Sequence, residues 1–379
     1  MSEDRRALPL ADALLDGPRG RRLLLEFALA SERLQWHADR DGSLGVAVFH
    51  AAHRLDPDRG TLFRSGARAE PPRVSPEDAA TLLAKVPLVP VTSRALLLCL
   101  RRSVDMARYW QGPDGEDLLA ATAPMRAALR RVAEHVAASA ETAWWRSPVD
   151  ERTQSAVQWE GQPPTHVPAE PLAILRAART DDIEKEQRAA RERPADPAAP
   201  FSGEWWSRPT WDIPSSTREI ADGGPAGLWL VEDSLGWEAA ESVHVGVPGG
   251  LRVFEIDSAD AWAELCARFP LDQTFQKRHD WYQVTGRAGR WVVPDWAAVA
   301  EHYDGVHLQV GAYLAAAGTA IPVGPDDATV IAGWGPDETY WFTSRIRLVD
   351  EPQMWRLDER GTEHLWTSSG PGDPKAAEG

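Results

Sequence analysis

The residues able to do chemistry are scattered along this chain, and few share a spacing that chemistry demands. His279-Asp280 with His302, Asp304 and His307 is a grouping of metal-ligand types. His302 and His307 lie five apart across a helix-to-strand junction, which does not fix them on one face, so the group does not read as a metal centre. His50 and His53 are three apart on a helix candidate with no carboxylate or third ligand near in sequence, and read as surface or core histidines. No Gly-x-Ser-x-Gly elbow presents a nucleophile, and no Gly-x-x-x-x-Gly-Lys loop offers to cradle phosphate. The arginines are placed more suggestively. Asp16-Gly17-Pro18-Arg19-Gly20 feeds a helix start, where its arginines could offer an anion site, although a solvated helix end is the simpler reading. Arg287-Ala288-Gly289-Arg290 beside Trp281 and Trp291 forms a small basic-aromatic patch, which solvated arginines in a hairpin loop explain without nucleic acid.

The elements that must position such residues fall into two halves. A chain of 379 residues exceeds what one hydrophobic core usually organises, so two domains are expected. Hydrophobic content of 43% with 26% charged residues is globular and excludes wholesale disorder. A net charge of −16 disfavours binding to a phosphate backbone, so nucleic acid is not an expected partner. No apolar run has membrane-spanning length and no secretory leader is visible, which predicts a cytoplasmic chain with no membrane partner. Cys99 and Cys266 sit in apolar helical settings and are expected to be buried, unpaired thiols. Tryptophan is the unusual residue: 18 in all, 13 of them after residue 200, a density that implies aromatic-lined cores or pockets.

Residues 1–160 read as an all-α domain of about five helices. The apolar run through 21–31, the strong Ser75-Pro76-Glu77-Asp78 helix start, and helical periodicity over 93–110 and 115–140 all point to helices. Residues 161–200 read as a charged helix and a Pro/Ala-rich linker. Residues 201–349 change period and read as an α+β domain with twisted antiparallel sheets. Strands are expected at 204–211, 227–231, 251–256, 328–332 and 339–343, with helices at 234–243, 260–269 and 295–302. Residues 350–379 read as a polar tail, disordered from 368.

Within the second half a family resemblance emerges. Gly227-Leu228-Trp229-Leu230-Val231-Glu232-Asp233-Ser234, then Ala239-Ala240, then Gly249-Gly250-Leu251-Arg252-Val253-Phe254-Glu255-Ile256, resembles the middle of an ADP-ribosyltransferase-like domain. Tyr303-Asp304-Gly305-Val306 and Asp337-Glu338-Thr339-Tyr340-Trp341-Phe342 are similar to that fold's late segments, and the resemblance covers roughly residues 203–345. It implies an enzyme that takes NAD as substrate and cleaves the nicotinamide–ribose bond. Glu338 would then stabilise the oxocarbenium-like centre. Arg208, next to Ser207 on the expected first strand, would hold the pyrophosphate bidentately. Ser215-Ser216-Thr217 resembles the family's hydroxyl segment, with Ser216 and Thr217 as its cofactor-binding residues, although a hydroxyl-rich turn before Arg218 explains it equally. Trp229 or Trp237 would supply the ring that stacks on nicotinamide.

The chain also departs from the family. The expected first strand has no histidine, and Pro336 stands where transferases acting on arginine or guanine usually carry Glu or Gln. The acceptor is therefore open. Two other readings remain: a non-catalytic, Trp-rich binding module whose helical half assembles with a protein partner, and a biosynthetic enzyme using the fold without NAD. A fold-level likeness does not decide among them.

Overall fold

The computed structural model describes residues 8–35, 43–57, 72–221, 223–234, 236–358 and 365–369. Its first part is helical: α1 (Leu10–Asp16), α2 (Pro18–Leu34), α3 (Leu44–Leu55), α4 (Pro76–Leu83), α5 (Ser93–Asp105), α6 (Gly115–Ala121) and α7 (Ala123–Ala137). The apolar run in α2 is explained by its position. Leu23, Leu24, Leu25 and Phe27 are fully buried because α1, α3, α5, α6 and α7 surround that helix. Each such side chain contributes about 1.5–3 kcal/mol when taken from water. Ser75 and Asp78 form a reciprocal capping box at the start of α4, as its sequence implies. The periodic stretch 115–140 divides at Thr122, where the backbone turns extended (ψ 148°) between α6 and α7.

The fold is α+β, with two sheets after the helices. The larger has nine strands, in the order β13-β12-β4-β1-β2-β11-β8-β5 with β3 on β2. These are β1 (Gln154–Trp159), β2 (Ser215–Ile220), β3 (Gly224–Pro225), β4 (Ala239–Gly246), β5 (Val253–Ile256), β8 (Gly305–Leu308), β11 (Thr339–Trp341), β12 (Arg347–Asp358) and β13 (Leu365–Ser369). All its pairs are antiparallel except β5 with β8. The smaller sheet orders β6 (Pro270–Asp272), β7 (Arg290–Pro294), β10 (Asp327–Thr329) and β9 (Ile321–Pro322), with β7 and β10 parallel. Between strands run α8 (Pro171–Glu192), α9 (Ala259–Arg268), α10 (Thr274–Thr285), α11 (Trp296–Ala300) and α12 (Val310–Ala316).

Several expected elements are different. Residues 154–159, assigned above to an all-α region, form β1 in the middle of the large sheet, between β4 and β2. Residues 204–211 carry no strand; their aromatic alternation serves packing, with Ser207 stitched to Ala332 through N–H···O at 2.8 Å. Residues 226–228 make a single 3-10 turn in place of a strand, and the helix expected at 234–243 is replaced by β4 from Ala239. Beyond residue 349 a long hairpin, β12 and β13, pairs onto β4, so Ser368 and Ser369 belong to a strand; residues 370–379 lie outside the described residues. Long-range pairing recruited segments whose own periodicity is weak. One buried apolar cluster runs from Leu14 to Trp366 and draws on both halves of the chain.

Many of the tryptophans are core, and several have their N–H groups answered, although Trp291 Nε1 is buried without a partner. Trp262, Trp296, Trp334 and Tyr340 pack largely edge to face, with Trp262–Trp334 at 5.9 Å and 80° and Trp334–Tyr340 at 5.5 Å and 84°. Trp262 Nε1 donates to Thr329, Trp281 Nε1 to Trp205 O and Trp355 Nε1 to Ser242. Cys99 and Cys266 are buried and unpaired, and burial pushes both thiols up to about 12.

Candidate functional site

Strand β11 sits between β2 and β8, and its register sets the site. Tyr340 stands opposite Ser215, and Thr339 opposite Ser216. Because side chains alternate, Glu338, Tyr340 and Ser215 face one side while Thr339, Trp341 and Ser216 face the other. Ser215 and Tyr340 lie beside the Glu338 side chain, and the Gly335 N–H donates to its Oε2 at 3.3 Å. The Glu338 carbonyl accepts from Leu308 N at 3.1 Å and Trp334 Nε1 at 3.3 Å, so the residue is fixed at both ends while staying partly exposed.

Arg208 reaches the same place from the irregular 204–211 segment. Its guanidinium is close enough to act electrostatically on Glu338 and Tyr340, and Nη1 donates to Pro209 O at 2.8 Å. Its Nη2 is buried with no hydrogen-bond partner. The ring of Trp211, itself 76% exposed, stacks over the guanidinium. Burial raises Glu338 above the ordinary carboxylate range, and Ser215 and the Arg208 charge only partly offset this. The arrangement is a partly exposed carboxyl group of raised proton affinity beside a buried arginine with one unanswered nitrogen.

The neighbouring Asp337 serves a separate purpose. It adopts φ 67°, a left-handed conformation tolerated by Asp, and that turn directs consecutive carboxylates to different sides. Asp337 accepts from Arg218 N at 2.8 Å and Arg218 Nε at 2.6 Å. His307 Nε2 lies 3.5 Å from Asp337 Oδ1, and its Nδ1 is 2.7 Å from Glu255 Oε2. Burial opposes a charge on His307, but Asp337 and Glu255 outweigh it and raise its proton affinity. Asp337 and Arg218 thus clamp β11 to β2 from beneath the Glu338 face.

The other sequence-predicted residues go elsewhere. Ser207 bonds Ala332, Ser216 accepts from Trp341 Nε1 at 2.7 Å and donates to Gln154, and Thr217 accepts from Gly227 N at 2.8 Å. Trp229 and Trp237 line a different crevice with Trp159, Trp366 and Arg101, where Trp159 and Trp237 stack at 4.6 Å and 13°. Trp229 Nε1 is spent on Gly223 O. Sequence reasoning named Ser215 within the hydroxyl segment but put the site on Ser216 and Thr217, and it missed the roles of Tyr340, Trp211 and the Arg218–Asp337 clamp. The alternation of Glu338-Thr339-Tyr340-Trp341 carried the signal for Tyr340, but the register to β2 that selects Ser215 over Ser216 is a tertiary fact.

The histidines form no common centre. His279 packs on Phe201, His302 on Phe269, and His307 belongs to the clamp. Arg287 stacks on Trp291 at 4.7 Å and Arg290 pairs with Asp272 and Asp327, so both patch arginines have partners. Among the described residues no helix is long and apolar enough to cross a membrane. The chain matches no family model, no curated protein and no solved structure.

Proposed function

We propose that the Glu338 cluster is an NAD-cleaving site of the ADP-ribosyltransferase kind, with the acceptor open between water and a macromolecule. The observation that carries this reading is that Glu338 and Arg208, remote in sequence by 130 residues, lie within electrostatic reach of each other, with Glu338 partly exposed, Arg208 and Tyr340 buried, and Ser215 and Tyr340 beside the carboxyl group. In the proposed reaction the ribose C1′–N bond breaks and its electron pair passes to the nicotinamide nitrogen, which loses its positive charge. The ribose is left oxocarbenium-like until an acceptor oxygen attacks and sheds its proton. Glu338 would face the ribose, where its negative charge stabilises that centre. Bound NAD carries a cationic ring, which favours the ionised form that burial alone opposes. Ser215 and Tyr340 would keep the carboxylate in place, and Arg208, buried beside it, would contribute positive charge on the pyrophosphate side. The exposed ring of Trp211 offers the planar face for which Trp229 and Trp237 are wrongly placed.

Calorimetric titration with NAD tests the binding half of this reading. Saturable heat that weakens in Arg208→Ala is the expected result; no heat at millimolar NAD rejects the reading. The crevice of Trp159, Trp229, Trp237 and Trp366 favours the second reading, a non-catalytic aromatic binding module, and a titration silent to NAD would bring that reading forward.

A further inference from the structure

A cavity of about 280 Å³ lies far from the Glu338 cluster in chain terms. It opens between the start of α2, the loop before α6, and the C-terminal ends of α10 and α12. Its lining includes Arg19, Arg21, Arg108 and Tyr109, against Asp114 and Asp117. Arg19 is 2% exposed and Tyr109 4%, yet Arg19 Nε and the Tyr109 hydroxyl have no hydrogen-bond partner. The Tyr109 hydroxyl lies beside Tyr313 without completing a bond to it. Arg21 Nε is also buried and unanswered, while its Nη1 donates only to the carbonyls of Leu15 and Asp16, at 2.9 and 2.6 Å. Arg108 stands at the mouth, 40% exposed, with Nε 3.1 Å from Asp233 in an ion pair that lacks hydrogen-bond alignment.

Buried donors are ordinarily satisfied, because an unmet one costs about 1–3 kcal/mol. Three such donors belong to residues lining this one cavity, and together they point to a missing acceptor. We infer that this cavity binds a small oxyanion, the phosphate or carboxylate group of a compact metabolite, through Arg19, Arg21 and the Tyr109 hydroxyl. The charge balance agrees. Asp117 is shared between Arg19 and Arg22, and Asp114 is taken up by Arg22, so Arg21 is left with carbonyl partners alone. Burial, together with the nearby Arg126, pushes Arg21 down to about 10, as expected for a cation lacking a counter-charge. A volume near the lower end of small-molecule pockets, which begin at about 300 Å³, suits a compact ligand and excludes a whole dinucleotide. The inference therefore stands independently of NAD cleavage at Glu338.

The test titrates the full chain with inorganic phosphate and, separately, sodium acetate, at constant ionic strength, by calorimetry and thermal melting. Phosphate also stabilises proteins non-specifically by exclusion from the surface, so variants decide the matter. Arg21→Gln removes a cation that holds only carbonyls, and Tyr109→Phe removes one hydroxyl while keeping the ring. The melting midpoint without added anion shows that each variant is folded. Saturable phosphate or acetate binding, weakened about tenfold or more in either variant, supports the site. Binding of phosphate alone marks a phosphate ester as ligand, and binding of acetate alone a carboxylate. No saturable binding of either anion, or binding unchanged in both variants, overturns it.

Discussion

The Glu338 edge and the arginine-lined cavity solve opposite problems with similar residues. At the first, strand register sets Ser215 and Tyr340 beside one carboxylate that also accepts from Gly335 N, although Arg208 Nη2 next to it is unanswered. In the cavity, helix packing brings donors together and leaves Arg19 Nε, Arg21 Nε and the Tyr109 hydroxyl without acceptors. A sheet sets its neighbours in a fixed register, so one acceptor gathers several partners. Helix ends meeting at angles leave space, and on the inference above an anion would complete the donors there. Glu232 links the two regions: its carboxyl accepts from Gly333 N, at the turn leading to Glu338, and from the Tyr313 hydroxyl at 2.8 Å, beside Tyr109.

The strongest way to break the contrast is to remove the clamp beneath the edge. Asp337→Ala leaves Arg218 buried without its carboxylate and should cost about 3–5 kcal/mol in denaturant unfolding. A cost near zero would mean that the strand junction is not fixed in advance.

A smaller effect, of a few kcal/mol, is expected from the linking carboxyl. Burial raises Glu232 from 4.5 to about 8, so the folded protein holds a proton there that the unfolded chain gives up. Its contribution to stability is full below about pH 4.5 and is lost as pH rises toward 8. Glu232→Gln should flatten that part of the stability–pH curve and leave the variant more stable than the wild type above pH 8. Equal slopes in the two proteins would count against a buried, protonated link.

The smallest effect belongs to Trp211. Losing its stack on Arg208 at this exposed position should cost about 0.5–1 kcal/mol in stability. On the proposed reading Trp211→Ala should nevertheless weaken NAD binding measurably, and an unchanged affinity would remove Trp211 from the site.

Local rules made some of this readable in sequence. The Ser75 capping box, the burial of α2 and strand β5 follow from capping residues and periodicity alone. The order of segments points to Glu338 and Arg208 through a first strand at 204–211 that does not form, although the two side chains do lie within electrostatic reach. What escaped depends on pairing between distant segments. β1 is one short strand inside an otherwise helical stretch, and β12 reads as a polar tail because its faces are mostly exposed. Trp229 was a natural choice for a stacking ring, but its N–H bond to Gly223 turns it into another crevice. Arg19 was noted as a possible anion ligand at a helix start; only packing against α10 and α12 shows that it lines a cavity.

Nicotinamide release from NAD by the wild type and by Glu338→Gln tests the central claim most directly. The substitution keeps the shape of the side chain and removes its charge, so melting midpoints should be similar. Nicotinamide should be released by the wild type and at least roughly a hundredfold more slowly by the variant, with NAD affinity little changed. No release from the wild type, or equal rates from the two proteins, would contradict the assignment of Glu338.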